Sequence, residues 1–287
     1  MQRIFLSAAI IFIFLSASSA GTFSELESAF RSDNIKAVVN IPERIIRFYS
    51  VQEVNDYAEP IMTYRVAVGQ KKYPTPIFQG KIVSRRAKPS WFVPKQEWAG
   101  EFAGKVIPFN DPENPFRARN ENGRVEGYFL SLGTEGVGLH STRESRSIGK
   151  LASHGCIRMR LEDVRFLFRN LKDETPVKVD YKLYRIEKSD TGLIVHAFED
   201  VYDRFSIEDR KQHLISIFEE HSIPIAILMP EEFEQLMAGK SVKIDNVVIP
   251  SSQDIVRTNI NNSVLDRTVN MSGASEILAR AVCMMRR

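Results

Sequence analysis

The stretch Ser153-His154-Gly155-Cys156-Ile157-Arg158-Met159, preceded by Leu139-His140-Ser141-Thr142, governs the reading of the whole chain. Two of the five histidines and one of the two cysteines fall between positions 140 and 156. A cysteine attacks only as thiolate, and its free pKa of about 8.5 calls for a neighbouring base or cation. A histidine meets that need wherever the fold brings it alongside, whatever the chain order. Gly155 permits a tight backbone that aims consecutive N–H groups at a developing oxyanion. Three chemistries compete for this cluster. Metal ligation by His140, His154 and Cys156 lacks the paired CxxC or HxxxH spacing and a clear fourth ligand. A buried Cys156, inert or bridged to Cys283, is the usual fate of a cysteine in an exported protein, but it leaves the Ser-His-Gly-Cys packing unexplained. The third is a thiol nucleophile.

Outward from this stretch the pattern is mainly β with short helices. Strand-like runs occur at Ala37–Ile41, Ile45–Tyr49 and Tyr64–Val68, separated by turn residues as in an antiparallel assembly. Seven of the 13 prolines lie between Pro74 and Pro115, together with both tryptophans. Such a segment cannot supply central strands or long helices, and its aromatics suggest an ordered loop or lid. Short strands are expected at Tyr128–Leu132 and Val137–His140, and a helix over Leu161–Leu171 from apolar residues at helical spacing. Strands are also expected at Val177–Tyr181 and Leu193–His196. Ser206 and Asp209 form a capping-box signature before an amphipathic run, and Pro230–Gly239 reads as a second short helix. From Ser251 the sequence is polar and weakly patterned, so 184–287 is expected to be a small α+β or partly disordered region.

The first twenty residues read as an export signal: Met1-Gln2-Arg3, an apolar run from Ile4 to Leu15, and small residues ending at Ala20. About 12 apolar residues fall short of the ~20 needed to span a bilayer, and no later stretch is longer. The expected product is exported, periplasmic and without a stable membrane span. With 39 basic and 36 acidic residues the net charge is +3, which argues against a nucleic-acid partner. The balance is local, however. Between Lys81 and Arg169 there are 16 Lys/Arg and 10 Asp/Glu, so the basic excess surrounds the Cys156 motif. Cys283, reached through a polar segment, could latch reversibly onto Cys156, or be an unrelated thiol or a crosslink to another molecule.

The motif resembles the signature of the L,D-transpeptidase (YkuD-type) family, which has a strand-ending His, about a dozen residues, and Ser/Thr-His-Gly-Cys followed by an aliphatic residue and Arg or Asn. The likeness runs from about Ile35 to Tyr181 and includes Lys88-Pro89-Ser90-Trp91 and Asp111-Pro112-Glu113-Asn114-Pro115. It implies a YkuD-like β-sandwich catalytic domain over 35–183. It also implies a Cys156 thioester formed on tetrapeptide stems of peptidoglycan, with His140 as base, its tautomer held by the Ser141 carbonyl. Ser153, His154 and Gly155 would surround the oxyanion or the substrate. Arg158 would hold a substrate carboxylate, or else pair with Glu162 or Asp163. No cofactor and no metal are implied. The acceptor would be a second stem amine, a lipoprotein lysine, or water, the last making a carboxypeptidase or endopeptidase. A non-catalytic wall-binding protein is the rival of a different class. A papain-like enzyme would have Cys before His. The residue after His140, usually Gly in the family, is Ser141 here. Only about 14 residues separate Gly21 from Ile35, so no wall-binding repeat is expected ahead of the domain. His196, His213 and His221 read as structural or solvated.

Overall fold

The computed structural model describes residues 23–31, 34–51, 59–133 and 136–245. The export signal, Cys283 and the polar run from Ser251 lie outside these residues. In chain order the strands are β1 (Ile35–Asn40), β2 (Ile45–Ser50), β3 (Met62–Arg65), β4 (Val68–Gly69), β5 (Phe78–Lys81), β6 (Ser84–Ala87), β7 (Trp91–Phe92), β8 (Val106–Ile107) and β9 (Ala118–Arg119). They continue with β10 (Val125–Glu126), β11 (Tyr128–Ser131), β12 (Gly138–Ser141), β13 (Leu151–Ser153), β14 (Ile157–Met159), β15 (Pro176–Asp180), β16 (Tyr184–Ser189), β17 (Gly192–Ala197) and β18 (Val242–Asp245). Helices are α1 (Phe23–Arg31), α2 (Leu161–Asn170), α3 (Ile207–Glu220) and α4 (Pro230–Met237). None is long and apolar enough to cross a membrane among the described residues.

A five-stranded sheet runs β3-β2-β1-β15-β5 and a four-stranded sheet runs β14-β12-β11-β6. In β1, Ile35, Ala37 and Val39 are buried while Lys36 and Val38 are half-exposed, the period-2 pattern of a strand with one covered face. Val177 and Val179 of β15 continue that face, aligned in parallel with Ala37 and Val39. In the second sheet Leu130, Leu139 and Ile157 lie side by side in register, fully buried, and α2 packs on β11 and β12 with Val164 and Leu167. The proline-dense segment contributes β5 and β6, both at sheet edges, where a neighbouring proline costs no ladder bond.

In α2 the acidic residues Glu162 and Asp163 occupy the first turn and Arg169 the last, complementing the helix dipole. Burial raises the Asp163 carboxyl to about 6, against the pull of Arg160 and with the push of Glu162. Its ionised form is therefore a cost at neutral pH, and the cost fades as pH falls through 6 toward 3.8. Asp163→Asn should stabilise the protein by about 2 kcal/mol at pH 7.5, once the lost dipole interaction is deducted, and by much less at pH 4. Urea midpoints at the two pH values test this. An equal difference at both would show that Asp163 does not titrate in this range.

After Leu183 the chain forms an antiparallel β16-β17-β18 sheet covered by α3 and α4. Ser206 and Asp209 make the reciprocal capping bonds expected from the sequence. This region is not a separate globule. Tyr184, Ile186, Leu193, Leu214 and Phe218 belong to the same core as Val39 and Leu139. A hydroxyl relay adds a polar tie: the Tyr181 hydroxyl donates to buried Asp200 (2.6 Å) and accepts from the Tyr202 N–H (2.8 Å). The Tyr202 hydroxyl in turn donates to the Gly69 carbonyl (2.8 Å) and accepts from the Thr75 N–H (3.1 Å).

Candidate active site

One cross-strand row of the second sheet builds the floor of an aromatic-lined cavity. Register pairs Arg86 with Phe129, Phe129 with His140, and His140 with Arg158, so these four side chains share a face. The next row toward the core holds Leu130, Leu139 and Ile157, and period-2 alternation separates the two sets. Cys156 directly precedes β14. The cavity, about 660 Å³, is lined by Arg86, Trp91, Trp98, His140, Cys156 and Arg158 among others.

His140 is 4% exposed, and its Nδ1 lies 2.7 Å from the Ser141 carbonyl oxygen. A carbonyl only accepts, so Nδ1 carries the proton and Nε2 is left as the basic nitrogen. Phe116 meets the imidazole edge-on at 5.0 Å and Phe129 lies parallel to it at 6.2 Å, with the Arg86 guanidinium 5.4 Å from the Phe129 ring. Ser141, which departs from the usual glycine, has a structural explanation. Its buried hydroxyl donates to the Phe116 carbonyl (2.5 Å) and accepts from the Tyr128 N–H (2.9 Å), tying the Phe116 segment to β11.

Gly155 has φ +113°, a conformation that L side chains rarely adopt, and this lets the chain turn sharply into Cys156. Ser153 staples the turn: its buried hydroxyl accepts from the Gly155 N–H (3.2 Å) and donates to the Cys156 carbonyl. The Cys156 thiol is half-buried and lies 3.0 Å from the Gly136 carbonyl, to which it donates. The His154 ring leaves the turn on the solvent side and stacks on Trp98 (4.0 Å, 15°), with Tyr73 4.8 Å away. Trp98 belongs to the tryptophan-rich segment, whose Val93, Ala99 and Ile107 form a small core of their own. Buried Asn114 holds that segment in place through the Pro89 (3.0 Å) and Ile107 (3.1 Å) carbonyls. Arg158 pairs with Glu144 at 2.6 Å, not with Glu162 or Asp163. No group of three or more His, Cys, Asp or Glu among the described residues is placed to hold a metal ion.

Burial pushes the Cys156 thiol up, against smaller pulls from the Gly138 backbone and the Arg158 charge. Burial also takes the His140 imidazole down to about 4, with the Ser141 bond resisting and Arg158 adding. At neutral pH the pair therefore rests as thiol and neutral imidazole. Alkylation of Cys156 by iodoacetamide should keep rising with pH beyond the range in which an ordinary thiol ionises. A plateau near neutral pH would instead reveal a preformed thiolate–imidazolium pair.

The L,D-transpeptidase catalytic-domain model, YkuD, matches residues 34–179. The chain belongs to the L,D-transpeptidase family. Its family domain is 31% identical over 157 residues to "Probable L,D-transpeptidase YbiS" of Escherichia coli K12, covering 49% of each chain. It is 26% identical over 144 residues to "Probable L,D-transpeptidase ErfK/SrfK" of the same strain, covering 50% of this chain and 43% of that one. The chain thus spans about half the length of the curated relatives it matches. Among solved structures, an L,D-transpeptidase from Mycobacterium smegmatis aligns over 51% of this chain and 58% of its own, at 20% identity and a TM-score of 0.36. Membership rests on the family model and not on that likeness.

Sequence reasoning named His140, Ser153, His154, Gly155, Cys156 and Arg158, and all six border the cavity. It missed Arg86, Phe129 and Glu144. The first two enter only through the pairing of β6 with β11. Glu144 has no signal beyond its position shortly after His140. The L,D-transpeptidase domain is also braced from outside by Tyr202, which no motif announces.

Proposed function

We propose that this protein is an exported cysteine acyltransferase acting on peptidoglycan tetrapeptide stems. The observation that carries this reading is a cysteine and a histidine bordering one cavity, the histidine neutral with its Nε2 left basic. His140 Nε2 takes the Cys156 proton as sulfur adds to the carbonyl before the terminal D-alanine. The tetrahedral oxyanion is held by backbone N–H groups of the His154–Cys156 turn, Gly155 exchanging the Ser153 hydroxyl for it. Collapse breaks the C–N bond. D-Alanine leaves with the proton returned by His140, and a thioester remains. A second stem amine, or a lipoprotein lysine, then displaces sulfur, passing its proton back through His140. Arg158, released from Glu144, holds a substrate carboxylate.

We assign residues 1–20 to an export signal, 35–183 to the catalytic domain and 184–287 to an extension. The protein then works in the cell envelope. Purified protein incubated with tetrapeptide-bearing wall fragments should release D-alanine and yield stem dimers. Tripeptides alone would mean that water is the acceptor, and the enzyme a carboxypeptidase. No D-alanine release, with wall binding intact, would favour the non-catalytic reading and remove this one.

A further inference from the structure

The local basic excess has a second address. Beside the cavity lies a groove of about 770 Å³ lined by Arg117, Arg119, Arg143, Arg146 and Arg160, with Glu162 the one acidic residue on its wall. Three elements bring these arginines together: the β9–β10 hairpin, the turn after His140, and the start of α2. Three of them are positioned by backbone carbonyls. Arg117 donates to the Phe109 carbonyl (3.1 Å), Arg119 to the Gly123 carbonyl (3.0 Å) and Arg143 to the Pro112 carbonyl (2.5 Å). Among the described residues only Arg143 of the five makes an ion pair, to Glu113 at a loose 3.9 Å. Arg47–Glu43, Arg85–Asp173 and Arg158–Glu144 are, by contrast, close ion pairs. Five guanidinium groups gathered in one groove repel one another, and an anionic occupant would relieve that cost. Guanidinium groups held by carbonyl bonds are ready-made partners for planar carboxylates.

The groove and the cavity are neighbours, with Arg143 in the wall of each. An occupant anchored by the arginines would pass Arg143 on its way toward Cys156. We propose that this groove is a subsite for an acidic peptide segment bearing several carboxylates, which it holds while the rest of the peptide reaches the thiol. The choice of a peptide over another polyanion rests on the acyl-transfer reading above; the anionic character of the occupant does not.

The test is fluorescence anisotropy with fluorescein-labelled tetraglutamate and the whole chain carrying Cys156→Ser, so that binding is read without turnover. Adding Arg146→Ala with Arg160→Ala should weaken binding about tenfold, the scale of two lost exposed ion pairs. Arg146→Lys with Arg160→Lys should recover most of it. Lys36→Ala with Lys178→Ala, on a different cavity, should leave it within about twofold. Unchanged affinity in the arginine pair, or an equal loss in the lysine pair, would overturn the proposal. So would tighter, arginine-dependent binding of a polyphosphate of matched charge, which would make the groove a phosphate site. The two readings fail separately. Arginine-dependent peptide binding with no D-alanine release in the unsubstituted enzyme sinks acyl transfer and leaves the groove. Release without such binding does the reverse.

Discussion

Cys156→Ser should lower D-alanine release by about 10⁴-fold or more, the largest effect expected of any single exchange. A serine hydroxyl is a far poorer nucleophile than a thiol at neutral pH, and the site offers a weak base, His140, whose pKa sits at about 4. That imidazole can assist the departure of a thiol proton but is poorly matched to a hydroxyl. A factor of 10⁴ corresponds to about 5.4 kcal/mol of transition-state stabilisation. Stability should scarcely change, since Cys156 is half-buried and serine is close in volume. Mass spectrometry of the intact protein after mixing with tetrapeptide should show the acyl adduct on the unsubstituted chain and none on the variant. His140→Gln should cost about 10²- to 10⁴-fold in the same assay while retaining the fold. Release at near-normal rates by Cys156→Ser would remove the thiol from the mechanism altogether.

Gly69→Ala should damage stability and turnover together. A Cβ at position 69 would lie 2.2 Å from the Tyr73 carbonyl oxygen, 2.5 Å from the Thr75 nitrogen and 2.7 Å from the Pro74 carbonyl carbon. All three are backbone atoms, so no side chain can swing aside and the loop itself must move. That loop is held tightly: the Gly69 N–H donates to the Thr75 hydroxyl (2.8 Å) and the Gln70 N–H to the Ser153 carbonyl (2.9 Å). Tyr73 carries its ring to His154, and Ser153 staples the Cys156 turn. A loss of about 3 kcal/mol is expected, roughly 6–12 °C in Tm for a domain of this size, with kcat at least about tenfold down. Gly239→Ala is the reference: its φ is positive, but its Cβ would meet nothing within 4 Å. It should cost about 1 kcal/mol and leave turnover alone. Thermal melts and steady-state kinetics on both variants decide the matter. A normal Tm for Gly69→Ala would mean that the loop yields freely.

The strands that alternate apolar and polar residues were legible because each has one covered face, as in β1 and β15. The polar edge strand β6 was not. Ser84-Arg85-Arg86-Ala87 carries no burial pattern of its own, and its place is set by pairing with β11. The same holds at the site. His140 and Cys156 declared themselves through rare residue types at close spacing. Arg86 and Phe129 became neighbours of His140 only through inter-strand register, which local composition does not encode. Trp98 was recognisable as part of an aromatic segment, but its stacking on His154 depends on how that segment folds back. Arg158 was read as a member of the motif and lines the cavity, yet its carboxylate partner came from the turn before β13, not from the following helix.

The Tyr202 hydroxyl bears on how portable the catalytic unit is. The family-model match ends at residue 179, while Tyr202 holds Gly69 and Thr75 from beyond that point. The matched range is therefore narrower than the unit that holds the loop in place. A chain cut after residue 183 would keep every signature residue, yet leave one backbone carbonyl and one backbone N–H on the Gly69–Thr75 loop without their partner. Transplanting this enzyme's chemistry into another protein means carrying the neighbouring buttress along with it.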